Sequence, residues 1–208
     1  MKTYVTKDDL VFAAETIKNG GLVGVPTETV YGLAADGLNE KAVHEIYEVK
    51  GRPEIKPISL LVTGMDMVEN FCDEIPESAY KLAEAFWPGP LTMILKKKAS
   101  VPDIVTAGGD TVGVRCPDHK ATLEIIKLAG RPLATPSANI SDQPSPKDAE
   151  SVLAYFDGKI PCVVDGGKCT VGIESTILLM TVNPPKVLRL GGLSPERIKA
   201  ETGIEVTV

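Results

Sequence analysis

Residues 175–190, Ser-Thr-Ile-Leu-Leu-Met-Thr-Val-Asn-Pro-Pro-Lys-Val-Leu-Arg-Leu, hold two short apolar runs, 175–179 and 187–190, separated by an Asn-Pro-Pro turn signal. Strict strand-helix-strand alternation would indicate a doubly wound parallel sheet, and two strands that follow one another through a turn break that order. The stretch therefore predicts antiparallel pairing inside a mixed sheet.

Further strands are expected at 22–25, 58–62, 91–95, 111–114, 132–135 and 162–164. Thr6 and Asp9 resemble a capping box ahead of Leu10, Ala13, Ala14 and Ile17, which repeat at helical spacing until Gly20 and Gly21. Asn39 is expected to cap a second helix carrying Val43, Ile46 and Tyr47 on one face and ending near Gly51 and Pro53. Helices are also expected at 76–86, 119–129, 147–156 and 195–201, with 141–148 as a surface loop feeding one of them. The tally gives an α/β (α+β) class, a mixed sheet flanked by helices.

The chain has 208 residues, 43% hydrophobic and 24% charged, which suits one domain spanning 1–208. The charged amino terminus lacks a signal-peptide pattern, and no apolar run reaches the roughly 18 residues that span a bilayer. Cys72, Cys116, Cys162 and Cys169 form no CxxC pair, and His44 and His119 lie far apart, so no metal site is expected and a reduced cytoplasmic location is. A net charge of −6 excludes whole-surface attraction of nucleic acid, so any anion site must be local.

Four polar groupings sit where strands end. In Pro26-Thr-Glu-Thr-Val-Tyr-Gly-Leu33, hydroxyls and a carboxylate follow a buried run, suiting either a ligand site or an ordinary capped turn. Lys50-Gly-Arg-Pro-Glu-Ile-Lys-Pro57 places three cations in seven residues, suiting a polyphosphate clamp or helix-end charges. Arg115 and Arg189 end apolar runs and need anionic partners, either a carboxylate such as Glu174 or Asp165 or a ligand. Ala134-Thr-Pro-Ser-Ala-Asn139, with Ser145 beyond it, offers hydroxyls and an amide to phosphate or ribose, or simply makes turns. The segment Asp165-Gly-Gly-Lys-Cys-Thr170 is not a Walker A loop, and GxGxxG, HExxH and GxSxG are absent.

Taken in order, PTETVYGL, KGRPEIKP, WPGPLT, GVRCPDH, TPSAN, GIESTIL and VLRLGG resemble the YrdC-like L-threonylcarbamoyladenylate synthases, over a match running from about Leu10 to Gly192. The resemblance implies a twisted mixed sheet with an open, positively lined cavity, in the short single-domain form. It implies conversion of L-threonine, bicarbonate or carbon dioxide, and ATP with Mg²⁺ into threonylcarbamoyl-AMP and pyrophosphate. A downstream complex would pass the group to adenosine 37 of tRNA.

By matching motif positions, Thr29, Arg115, Thr135 and Ser175 would bind threonine. Arg52, Lys56, Thr111, Ser137, Asn139, Ser145 and Arg189 would bind ATP or its adenylate. Lys50 and Arg52 would carry the catalytic charge. Leu61 departs from the pattern, since some relatives bear a histidine there on the threonine side; Leu33 or Leu61 would line the pocket for the threonine methyl. The alternatives are a carbamoyl-transfer module, or a non-catalytic protein binding double-stranded RNA or the ribosome, with weak RNA binding also compatible with the enzyme.

Overall fold

The computed structural model describes residues 2–208. Its strands are β1 (Tyr4–Thr6), β2 (Val23–Val25), β3 (Gly32–Asp36), β4 (Leu60–Leu61), β5 (Cys72–Asp73), β6 (Leu91–Lys97), β7 (Thr111–Arg115), β8 (Leu133–Ala134), β9 (Cys162–Val164), β10 (Thr176–Leu179) and β11 (Lys186–Arg189). The helices are α1 (Leu10–Lys18), α2 (Glu40–Lys50), α3 (Met65–Val68), α4 (Glu77–Phe86), α5 (Asp103–Thr106), α6 (Lys120–Ala129), α7 (Ala149–Phe156) and α8 (Pro195–Thr202).

Among the described residues all the strands join one sheet, in the order β1-β9-β2-β3-β8-β4-β7-β6-β10-β11, with β5 beside β6. Pairing is mixed, as expected: β1 and β2 run parallel to β9, β4 to β7 and β6 to β10. The two strands of residues 175–190 pair antiparallel as β10 and β11. Helices cover the sheet on separate cores, one containing Leu60, Leu82, Met93 and Phe156, the other packing Ile17 of α1 and Ile125 and Ile126 of α6 on Val23 and Val164.

The local signals act through identifiable groups. Asn39 caps α2, its side chain accepting from the Lys41 and Ala42 amides, and Gly51 closes it at φ 57°, a left-handed conformation that glycine adopts without strain. Asp148, the last residue of the 141–148 loop, caps α7. At α1 the expectation needs correction: the cap is Asp9, whose carboxylate accepts from Phe12 N at 3.0 Å, while Thr6 ends β1 and its hydroxyl accepts from Asp9 N at 2.9 Å.

Three strands are absent from the sequence reading, among them the two-residue β5. β1 is three residues long, too short for periodicity to register. β3 is buried at all five positions, so it has no polar alternation, and Gly-Leu-Ala-Ala-Asp carries no β-branched residue; pairing on both sides with β2 and β8 overrides its weak propensity.

Leu60 is fully buried on the two-residue strand β4, which joins β8 to β7 at the centre of the sheet. Replacing it by alanine leaves a cavity and is expected to lower unfolding free energy by about 2–5 kcal/mol. Urea unfolding of Leu60→Ala with an unchanged midpoint would contradict this packing.

Candidate active site

Register across the sheet assembles the site. Leu61 of β4 pairs with Arg115 of β7, Val114 pairs with Met93 of β6, Thr92 with Ile177 of β10, and Ile177 with Arg189 of β11. The next step along the antiparallel β6–β7 ladder sets Arg115 beside Thr92, so Leu61, Arg115, Thr92, Ile177 and Arg189 form one row across five strands. All five line a cavity of about 290 Å³. The loop between β2 and β3 adds Thr27 and Thr29, the segment after β8 adds Thr135 and Ser137, the approach to β10 adds Glu174 and Ser175, and the segment after α2 adds Arg52.

Close backbone approach shapes one wall. Gly32 opens β3 against Thr135, where an added Cβ would overlap the Thr135 methyl. The Thr135 hydroxyl turns back to the Leu133 carbonyl at 2.9 Å. Tyr31 anchors the same region: its hydroxyl donates to Gly167 O at 2.7 Å and accepts from Gly166 N at 3.0 Å. Burial pushes this phenol up to about 12. The 165–170 segment, which resembles a phosphate loop only superficially, is thus held by a tyrosine.

Arg115 is buried at the centre of the row and donates in three directions: Nε to Gly89 O at 3.1 Å, Nη1 to Thr29 Oγ1 at 2.9 Å and Nη2 to Glu28 Oε1 at 2.5 Å. Burial pulls the guanidinium below its ordinary value, and Glu28 opposes that pull. The carboxylate partner is Glu28, where the sequence suggested Glu174 or Asp165. For Arg189 the partner is Glu174, as the sequence suggested, Oε2 to Nη1 at 2.5 Å, and Glu174 also accepts from Ser145 Oγ at 3.2 Å.

Proton bookkeeping fixes the polarity of the hydroxyls. Thr27 Oγ1 donates its single proton to Val30 O at 2.6 Å, so in its 2.9 Å contact with Thr29 the donor is Thr29. Thr29 spends its proton there and accepts from Arg115, which leaves a lone pair for a ligand. A group bound at Thr29 must therefore donate.

Arg52 differs from the other two arginines. Its Nε and Nη2 bind the Lys56 and Pro57 carbonyls at 3.2 and 2.9 Å, and it has no carboxylate partner among the described residues. The cavity therefore has two compensated arginines and one uncompensated one.

The structure brings together all four residues matched to threonine, Thr29, Arg115, Thr135 and Ser175, with Arg52, Ser137 and Arg189 from the ATP set. Five expected residues do not line this cavity. Lys56 lies outside it, 3.5 Å from Asp142, Thr111 sits at the far end of β7 opposite Lys96, and Ser145 reaches it only through Glu174. Asn139 donates to Ile140 O and Gln143 O, both at 2.8 Å, and so folds the 139–143 turn. Of the two leucines, Leu61 lines the cavity and Leu33 is in the core. Sequence reasoning missed Thr92, whose hydroxyl lies 2.8 Å from that of Ser175; its signal was a polar residue in the otherwise apolar run Leu-Thr-Met-Ile-Leu.

A family model described as Telomere recombination (Sua5_yciO_yrdC) matches residues 15–191. The chain is 49% identical over 191 residues to the threonylcarbamoyl-AMP synthase of Pyrococcus abyssi and 44% identical over 192 residues to that of Bacillus subtilis. Each alignment covers 92% of this chain and 56% of the relative. The chain thus spans about half the length of these curated relatives. The crystal structure of P. abyssi Sua5 complexed with L-threonine superposes with a TM-score of 0.94 at 45% identity, over 99% of this chain and 62% of that one.

Lys50, the fifth residue outside the cavity, ends α2 on the face that carries Val43, Ile46 and Tyr47, and is 1% exposed. Its amine donates to the carbonyls of Ser137 and Asn139, so it fastens the loop that presents Ser137 to the cavity. Burial, and then the like charge of Arg52, pull Lys50 down to about 7 from 10.5. The unfolded chain keeps this proton up to about 10.5 while the folded chain gives it up near 7, so stability rises with pH between those values. From pH 7 to 8.5 the rise is at most about 2 kcal/mol. Urea unfolding should show it in the wild type and not in Lys50→Met; parallel pH profiles would contradict the shift.

Proposed function

The chain belongs to the Sua5/YciO/YrdC family, and from that premise we propose that it synthesises threonylcarbamoyl-AMP from L-threonine, carbon dioxide or bicarbonate, and ATP. The observation that carries this reading is the division of charge in one cavity. The compensated Glu28–Arg115 end suits an amino acid, and the uncompensated Arg52 suits a polyphosphate.

At the amino-acid end, the spare N–H groups of Arg115 and the Ser175 hydroxyl receive the carboxylate, and the Thr29 lone pair receives an N–H of the amine. That contact points the nitrogen's own lone pair at carbon dioxide. Threonine bound as a zwitterion frees that lone pair by giving an ammonium proton to solvent; a C–N bond then forms as one C=O π bond of carbon dioxide opens, and the nitrogen gives a second proton to solvent, leaving a carbamate. A carbamate oxygen then attacks the α-phosphorus of ATP, and the bond to the departing pyrophosphate breaks. Arg52, Arg189 and Ser137 sit where charge builds on the phosphates, so catalysis is by positioning and charge stabilisation, with no side-chain nucleophile.

Magnesium would arrive on ATP. Among the described residues no group of three or more His, Cys, Asp or Glu side chains could hold a metal, and Glu174, the carboxylate that lines the cavity, is engaged by Arg189 and Ser145. This donor set fits an ion carried chiefly by phosphate oxygens. When bound, it would neutralise phosphate charge. The adenylate would pass to a threonylcarbamoyl-transferring complex acting on adenosine 37 of tRNA. Cytoplasmic placement agrees with that role, and no helix among the described residues is long and apolar enough to cross a membrane.

Incubation with ATP, Mg²⁺, L-threonine and bicarbonate should yield threonylcarbamoyl-AMP by mass spectrometry, and no threonine-dependent product would sink the reading. Arg52→Ala should fold and form the product at least roughly a hundredfold more slowly, the loss of about 2.7–4 kcal/mol seen when one charge-stabilising donor is removed. Leu61 meets the ligand near Arg115 and is the candidate contact for the threonine methyl. Leu61→Ala should narrow the preference for threonine over serine, which one methyl limits to about 1–3 kcal/mol; an unchanged kcat/KM ratio would place the methyl elsewhere.

A further inference from the structure

We infer that Glu28, which does not line the cavity, is a positioning and specificity residue: acting through Arg115, its carboxylate selects a zwitterionic ligand over an anionic one. The inference rests on reading the Arg115 end as an amino-acid site.

Glu28 is 6% exposed and both its oxygens are committed. Oε1 accepts from Arg115 Nη2 at 2.5 Å and Oε2 from the backbone N of Asp118 at 3.0 Å. One carboxylate thus ties the loop between β2 and β3 to the end of β7 and to the approach of α6. The other cation that acts on Arg115, Arg189, is itself paired with Glu174. The Arg115 end therefore carries no net charge before a ligand enters.

A ligand that brings only a carboxylate places a second negative charge on a guanidinium that already has one. A zwitterion brings its own compensation, and its N–H groups meet the lone pair of Thr29, which has no proton to offer an anion. Removing the Glu28 charge has two opposing effects. The glutamine amide keeps one oxygen for the two donors Arg115 Nη2 and Asp118 N, so one of them loses its acceptor, while Gly89 O and Thr29 Oγ1 still hold Arg115 in place. Arg115 also loses a full counter-charge at hydrogen-bond distance in a buried site, and that electrostatic change is the larger. The vacated charge then favours a ligand anion.

The test uses calorimetric binding of L-threonine and of 2,3-dihydroxybutyrate, which replaces the ammonium by a hydroxyl. The wild type should prefer threonine. In Glu28→Gln the ratio of the two dissociation constants should shift toward the hydroxy acid by at least about tenfold, about 1.4 kcal/mol. Glu28→Asp, which keeps the charge, should retain the wild-type preference.

Loss of stability alone would weaken both ligands together, so an unchanged ratio in Glu28→Gln overturns the inference. Should Glu28→Gln melt too low for calorimetry, the hydroxy acid should raise its melting temperature more than threonine does. A chain unfolded with and without ligand would make Glu28 purely structural and overturn the assignment. If the wild type binds threonine and only the ratio fails to move, the functional reading survives; if the wild type binds neither ligand, both fall.

Discussion

A guanidinium buried in the middle of a sheet is the constraint around which this molecule is arranged. Arg115 sits in a row of residues contributed by five strands, where an unpaired charge would cost several kcal/mol. Its three acceptors come from two segments: Gly89 before β6, and Thr29 and Glu28 after β2. Satisfying it engages the 26–31 loop through Thr29 and Glu28 and, through Glu28, ties in Asp118 N just ahead of α6. The cavity wall follows from compensating one charge.

Lys50 meets the same problem differently. It is as deeply buried, and carbonyls rather than a carboxylate receive its amine. Carbonyls orient a donor without cancelling its charge, so Lys50 moves toward neutrality while Glu28 supports the charged state of Arg115. One cation therefore lines the cavity and the other fastens the loop. In the proposed function the phosphate-facing role falls to Arg52, whose carbonyl partners hold its geometry and leave its charge without a carboxylate partner.

Much of this frame is legible in the sequence because its determinants are local. Asn39 and Gly51 bound α2, residues 162–164 form β9, and the turn within 175–190 separates two antiparallel strands. What the sequence hides depends on distant partners. β3 becomes a strand only because β2 and β8 flank it, and Glu28 meets Arg115 across 87 positions. Lys50 is the instructive case. Its place among three cations suggested phosphate contact, yet it follows Val43, Ile46 and Tyr47 at helical spacing, a continuation of that face that the reading did not use and that puts it on the buried side. The motifs locate the cavity, and side-chain direction decides which of their residues reach it.

The central claim is that one cavity holds an amino acid at a neutralised arginine and a polyphosphate at a bare one. A crystal structure of the chain with L-threonine and a non-hydrolysable ATP analogue tests it most directly. The account predicts the threonine carboxylate within hydrogen-bond distance of Arg115, an N–H of its amine on Thr29 Oγ1, and phosphate oxygens on Arg52. Threonine bound away from Arg115, or phosphates placed against Lys50 with Arg52 turned aside, would contradict it.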